Sequence, residues 1–147
     1  MDTRTLLEFL RTHSLAVQSS VSADGGPQSA VVGFVVSDEF EVFFDTVDTS
    51  RKVKNLRGNR KIGFVIGGLT PGDERTVQYE GVADEPNGSE LERLKKLYFA
   101  RFPDGPERQT WPGLMYVRAR PTWIRFSDYN QDPPLIVEYS AAQLERS

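Results

Sequence analysis

With 147 residues the chain has the length of one domain with one sizeable core, and 9 Phe, 5 Tyr and 2 Trp exclude a disordered polar segment. A formal charge of -3 excludes a general electrostatic attraction to nucleic acid or an anionic membrane, so any anion site has to be local. Cysteine is absent, which rules out disulfides, thiolate metal ligands and cysteine nucleophiles.

The N-terminus, Met1-Asp2-Thr3-Arg4 followed by Leu6-Leu7-Glu8-Phe9-Leu10, is too short and too interrupted for a signal or membrane segment, and a cytoplasmic protein is expected. Residues 3–12 read as an amphipathic helix with Thr5 and Glu8 as a capping box. From Leu15 the period becomes two, up to a turn at Ala23-Asp24-Gly25-Gly26. A return strand runs from Ser29 to Val36, turns at Ser37-Asp38-Glu39 and enters Phe40–Phe44, so three consecutive antiparallel strands form a meander.

Ser50 to Asn59 reads as a helix with Ser50 as N-cap and with Val53 and Leu56 facing the core. A buried strand at Ile62–Ile66, a Gly/Pro loop through Asp73 and a strand from Thr76 to Ala83 follow. Ser89–Arg101 is a second helix, ended by Phe102-Pro103-Asp104-Gly105-Pro106. Two last strands, Leu114–Ala119 and Thr122–Phe126, join around Arg120-Pro121. The tail Asp132–Tyr139 is extended by its prolines and apolar enough to pack on a partner subunit. The sum is a mainly β chain, one domain over 1–147, whose strands suit a barrel better than an open parallel sheet.

One stretch carries chemistry. Between Thr49 and Gly72 there is no acid, while Arg51, Lys52, Lys54, Arg57, Arg60 and Lys61 are six of the 18 basic residues. Ser50-Arg51-Lys52 opens a helix, where free N–H groups and the positive dipole end attract anions. Arg51 can clamp phosphate oxygens with two parallel donors, Lys52 adds a point charge and the Ser50 hydroxyl a third bond. The plain alternative is a solvated basic helix face.

The run Val42-Phe43-Phe44-Asp45-Thr46, a short loop and Ser50-Arg51-Lys52-Val53-Lys54-Asn55-Leu56 resembles the strand and Ser-Arg-Lys helix of the pyridoxamine 5′-phosphate oxidase-like family. The upstream hairpin Ser22–Ala30 and the downstream strand Arg75–Ala83 lie in the family's order, so the likeness covers about residues 10 to 85 strongly. The resemblance implies a six-to-seven-stranded antiparallel split barrel that forms a homodimer, with FMN in two clefts between the subunits. It implies that Arg51 and Lys52 hold the phosphate, with Ser50 and Thr46 bonding nearby. The backbone of Ser29, Ala30 and Val31 would face the flavin ring, and Thr76 or Gln78 would reach its polar edge.

The family's glutamine falls on Thr76, and Gln78, two residues on and on the same face, is the substitute. The Trp and Arg-Leu-His run of true pyridoxamine phosphate oxidases is missing; the nearest stretch is Trp123-Ile124-Arg125-Phe126, so oxidation of pyridoxamine phosphate is not implied. Three functions stay open on this reading: an FMN oxidoreductase acting by hydride transfer on an unknown small molecule, a deazaflavin-dependent reductase, and a non-catalytic flavin-binding or stress-related protein. An oligonucleotide-binding barrel is disfavoured by the net charge.

No catalytic residue is assigned, since the hydride chemistry belongs to the cofactor. Trp123 could stack on the flavin, as could Trp111, although packing explains both. His13, the only histidine, sits where a helix C-terminus favours its charge. Asp45 and Asp48 lack the spacing of an acid–base pair or a metal site, and no metal is expected.

Overall fold

The computed structural model describes residues 1–145, so the last two residues of the span read as one domain lie outside the described residues. The chain runs α1 (Thr3–Arg11), β1 (Leu15–Val21), β2 (Pro27–Gly33), β3 (Val35–Val36), β4 (Val42–Val47), α2 (Arg51–Gly58), β5 (Lys61–Gly67), β6 (Arg75–Asp84), α3 (Gly88–Arg101), α4 (Gly105–Arg108), β7 (Leu114–Asp128), β8 (Leu135–Ser140) and α5 (Ala141–Glu145). The strands form one antiparallel sheet in the order β2-β1-β5-β6-β7-β4-β3, with β8 added on β7.

The ends of that order explain the shape. β2 and β3 lie at opposite ends of the sheet yet are separated only by Phe34. Two residues span at most about 7 Å, so the sheet must curl until its ends meet, which makes a split barrel. The expected meander changes at one point: β1 pairs with β2 and β3 pairs with β4 as expected, but the return strand Ser29–Val36 breaks at Phe34, where it passes from one end of the sheet to the other.

One further expectation changes. Leu114 to Asp128 is one continuous strand whose first half pairs with β4 and whose second half pairs with β6 and β8. Pro121 is tolerated there because it faces Gly81, where the β6 register shifts at a bulge. A Cβ on Gly81 would lie 2.5 Å from the Arg120 carbonyl oxygen, so this crossing needs glycine. The extended apolar tail is a strand, β8, paired with β7 of the same chain, and Tyr139 donates its buried hydroxyl to the Met1 carbonyl at 2.8 Å.

At α1 the cap is Asp2, which accepts from the Thr5 N–H at 2.8 Å, rather than a box closed by Glu8. Leu6, Phe9 and Leu10 from this helix pack onto the barrel core of Phe44, Phe64, Ile66, Val77, Tyr79, Ile124 and Phe126. The full burial of Val42, Phe43 and Phe44 has a geometric cause. Val42 and Phe44 face that core, while Phe43 points the other way into a second cluster with Leu94, Tyr98 and Tyr116 under α3. Phe40 takes a left-handed conformation, φ 62, and its carbonyl accepts from the buried Tyr79 hydroxyl at 2.6 Å.

Candidate functional site

The loop from β4 into α2 is held from both sides. Ser50 donates its N–H to the Val47 carbonyl at 3.0 Å, and Asp48 donates its N–H to the Gly113 carbonyl at 2.8 Å. Gly113 has φ 74, and a side chain on it would run into the Asp48 carboxylate. Thus the start of β7 fixes where α2 begins.

Ser50 has N-cap backbone geometry, φ -70 and ψ 152, but makes no side-chain capping bond. Its hydroxyl lies 3.3 Å from Thr46 Oγ1 instead, and Lys52 Nζ donates to the same Thr46 oxygen at 3.4 Å. The first-turn N–H groups of α2 are left without a side-chain cap, and no acid stands in that turn. An uncapped positive helix end beside Arg51 and Lys52 has the electrostatics that favour an anion.

Beneath it lies a hollow of about 210 Å³ lined by Gln18, Ser20, Gln28, Ser29, Ala30, Arg51 and Lys52. Gln18 and Ser20 sit at the inward parity of β1, shared with Ala16, and face Ala30 and Gln28 across the ladder to β2. Buried Asn55 ties the helix down, donating through Nδ2 to Ser20 Oγ at 3.1 Å. The Gln28 amide lies between two donors. Turned one way its oxygen accepts from Asn55 Nδ2 at 2.8 Å; turned the other way it accepts from Arg51 Nε and Nη1 at 2.9 and 3.1 Å. Nearby, the Ser22 hydroxyl holds the Asp24 carboxyl below its ordinary range, the charge of Arg51 adding to the effect.

The sequence-predicted residues divide. Ser29, Ala30, Arg51 and Lys52 line the hollow, and Thr46 and Ser50 are joined to it through Lys52. Val31 follows on β2 with its side chain 66% exposed on the outer face. Thr76 and Gln78 lie on the outer face of β6, three strands from β2 and so roughly 14 Å along the sheet. Trp123 is one strand further, paired with Glu80 and Ser140, with the Arg125 guanidinium 5.4 Å from its ring centre. These three do not converge with the hollow within one chain.

His13 lies elsewhere, lining a hollow between α1 and α3 with Leu10, Phe34 and Leu97, its Nδ1 3.0 Å from the Phe9 carbonyl oxygen at the helix end. Trp111 is half exposed. Among the described residues no group of three His, Cys, Asp or Glu could hold a metal ion. The basic run itself is split. Arg57 is paired through two bonds to Glu85, at 3.1 and 2.9 Å, which raise its pKa above the ordinary value. With Arg60, it borders a larger hollow of about 320 Å³ on the other flank of α2. Because Arg57 is already matched there, the smaller hollow, with Arg51 and Lys52, is the better anion site.

Sequence reasoning missed Gln18, Ser20, Gln28 and Asn55. The signal existed: polar residues at the core-facing parity of a strand need partners or a ligand.

The curled antiparallel sheet with its short helices is a split barrel. The family model for pyridoxamine 5′-phosphate oxidase matches residues 3–128, and the chain belongs to that family. The fold is shared with a haem-binding protein from Mycobacterium smegmatis at TM-score 0.81 and 12% identity, covering 95% of this chain and 58% of that one. This chain thus spans less than two thirds of that protein. An FMN-binding, pyridoxamine 5′-phosphate oxidase-related protein from Nostoc punctiforme matches at TM-score 0.69 and 13% identity, over 93% and 88% of the two chains. A pyridoxamine 5′-phosphate oxidase-type protein from Listeria innocua matches at TM-score 0.65 and 19% identity, over 84% and 95%. The comparison with curated proteins finds none that matches.

Proposed function

We propose that this protein binds FMN, with the phosphate at the start of α2, and acts as a flavin-dependent oxidoreductase on a small molecule by hydride transfer. The observation that carries the reading is that Ser50 leaves the α2 N-terminus uncapped, beside Arg51, Lys52 and a hollow of about 210 Å³. The Nostoc protein's description as FMN-binding supports the choice of flavin.

In this reading Arg51 turns from Gln28 to grip two phosphate oxygens, and Lys52, already aimed by Thr46, adds the second positive charge. The Ser50 hydroxyl completes the cradle. When bound, the flavin supplies the hydride chemistry, and the chain's residues hold and orient it. Ser29 to Val31 lie on a strand whose only ladder partner among the described residues is β1, so their other backbone edge is open to the ring.

The working unit is a homodimer. Its support is the outer face of β2, β1 and β5, where Val31 (66% exposed), Leu15 (61%) and Val65 (42%) form an apolar surface. In the dimer Thr76, Gln78 and Trp123 serve the flavin of the opposite subunit. A deazaflavin phosphate fits the same cradle, and the absorbance spectrum of the purified protein separates the two. Substrate-dependent bleaching of the bound flavin separates an oxidoreductase from a binder without turnover.

The test is Arg51→Ala with Lys52→Ala. Two charged contacts at about 1.5–3 kcal/mol each set the loss, so the Kd for FMN rises roughly a hundred- to ten-thousandfold. The fold survives, because two positive charges leave a helix N-terminus that disfavours them. A double variant that binds FMN as tightly as the parent refutes the cradle, and hemin titrated in parallel tests haem as the occupant.

A further inference from the structure

We infer that Gln18 is a ligand-binding residue, its side-chain amide donating a hydrogen bond to the phosphoryl group from the floor of the hollow. The inference rests on the FMN reading above and adds a residue to it.

Gln18 is 1% exposed, and its Nε2 has no hydrogen-bond partner among the described residues. Leaving a buried amide donor unpaired costs stability, so a long carboxamide at a core-facing strand position calls for a partner. The neighbours on its own sheet supply none. Its ladder partners are Ala30 and Phe64, and Ala30 is small enough to leave the space beside Gln18 open. Next along β1, Ser20 is taken by Asn55.

That space is the hollow that Arg51 and Lys52 line from the α2 side. Two cationic side chains and an uncapped helix end approach from above, and an unused donor approaches from below. The charged groups lining it are both cations and the unpaired polar atom is a donor, so the occupant is an acceptor-rich anion, which matches the terminal oxygens of a phosphate monoester.

Gln18 therefore has effects of opposite sign in the empty and the loaded protein. Gln18→Met keeps the volume and removes the unpaired amide. The ligand-free variant melts about 2–4 °C higher than the parent. Its Kd for FMN rises about ten- to a hundredfold. Riboflavin, which lacks the phosphate, binds parent and variant alike, and inorganic phosphate competes with FMN less well in the variant. Gln18→Leu gives the same pattern and guards against a packing fault of the methionine.

Unchanged FMN affinity in both variants, in a parent that binds FMN, overturns the Gln18 assignment alone. Equal weakening of FMN and riboflavin overturns the phosphoryl contact, and a lower melting temperature with unchanged affinity makes Gln18 a packing residue. A parent that binds no FMN removes the cofactor reading and the Gln18 assignment with it.

Discussion

Replacing Arg118 with methionine should cost the fold about 3 kcal/mol, and the number follows from what Arg118 leaves behind. Its side chain is 5% exposed, and its guanidinium bonds three acids: Asp84 at 2.9 and 2.7 Å, Glu41 at 3.1 Å and Glu90 at 3.2 Å. Glu41 is nearly as buried, at 7%, and among the described residues keeps the side chains of Arg93 at 2.9 Å and Ser37 at 2.8 Å once Arg118 is gone. Removing one member of a buried pair typically costs about 3–5 kcal/mol, and the surviving partners of Glu41 place this case at the low end. At about 2.1 cal/mol/K per residue, the unfolding entropy of 147 residues is roughly 0.31 kcal/mol/K, so the melting temperature falls about 10 °C. The assay is thermal unfolding by circular dichroism, with Glu41→Gln added on the same background. The double variant should regain part of the loss, because the stranded charge is removed. A drop under about 3 °C in the single variant, or a further full-sized drop in the double, refutes the account of Arg118 as the compensating charge.

Two other outcomes are expected. Val31→Glu places a charge on the apolar outer face and, in the proposed homodimer, should shift dimer to monomer in sedimentation, with FMN affinity falling as subunits part; a dimer that persists removes that face as the interface. Burial raises the hydroxyl pKa of Tyr79, Tyr98, Tyr116 and Tyr139 above the ordinary 10, and negative charges, Asp45 beside Tyr98 among them, push the same way. Their folded values lie above their unfolded ones, so this contribution is fully present below pH 10 and is lost as pH rises beyond it. Melting temperatures measured from pH 9 upward should begin to fall near 10, with phenolate absorbance beyond that of one tyrosine, the half-exposed Tyr129, appearing together with unfolding; phenolate from more than one tyrosine in the intact fold refutes the linkage.

Local pattern carried the hairpin at Ala23–Gly26, the helices α2 and α3 and the strands β5 and β6, because each is written in period and punctuation over short stretches. It failed where closure decides. Residues 29–36 read as one strand because no break residue other than Gly33 interrupts the run, and only the meeting of the sheet ends at Phe34 divides it. Arg120-Pro121 reads as a turn until Gly81 is seen across the ladder. The candidate site was legible at Ser50-Arg51-Lys52 because these residues are contiguous. Gln18, Gln28 and Asn55 come from three elements, and their convergence is a property of the packing. The remoteness of Thr76, Gln78 and Trp123 follows from strand order, which residue spacing does not encode.

The long strand β7 has a consequence for how the chain comes off the ribosome. It supplies ladder partners to β4, β6 and β8, yet about 70 residues separate the end of β4 from its first residue. At about 5–20 residues per second, translation takes roughly 4–14 s to cover that gap. Throughout it, β4 carries Phe43 and Phe44 with its β7-facing edge unmatched, a sticky template for other nascent chains. Yield in overexpression should thus track chaperone supply and growth temperature more than the melting point of the finished protein.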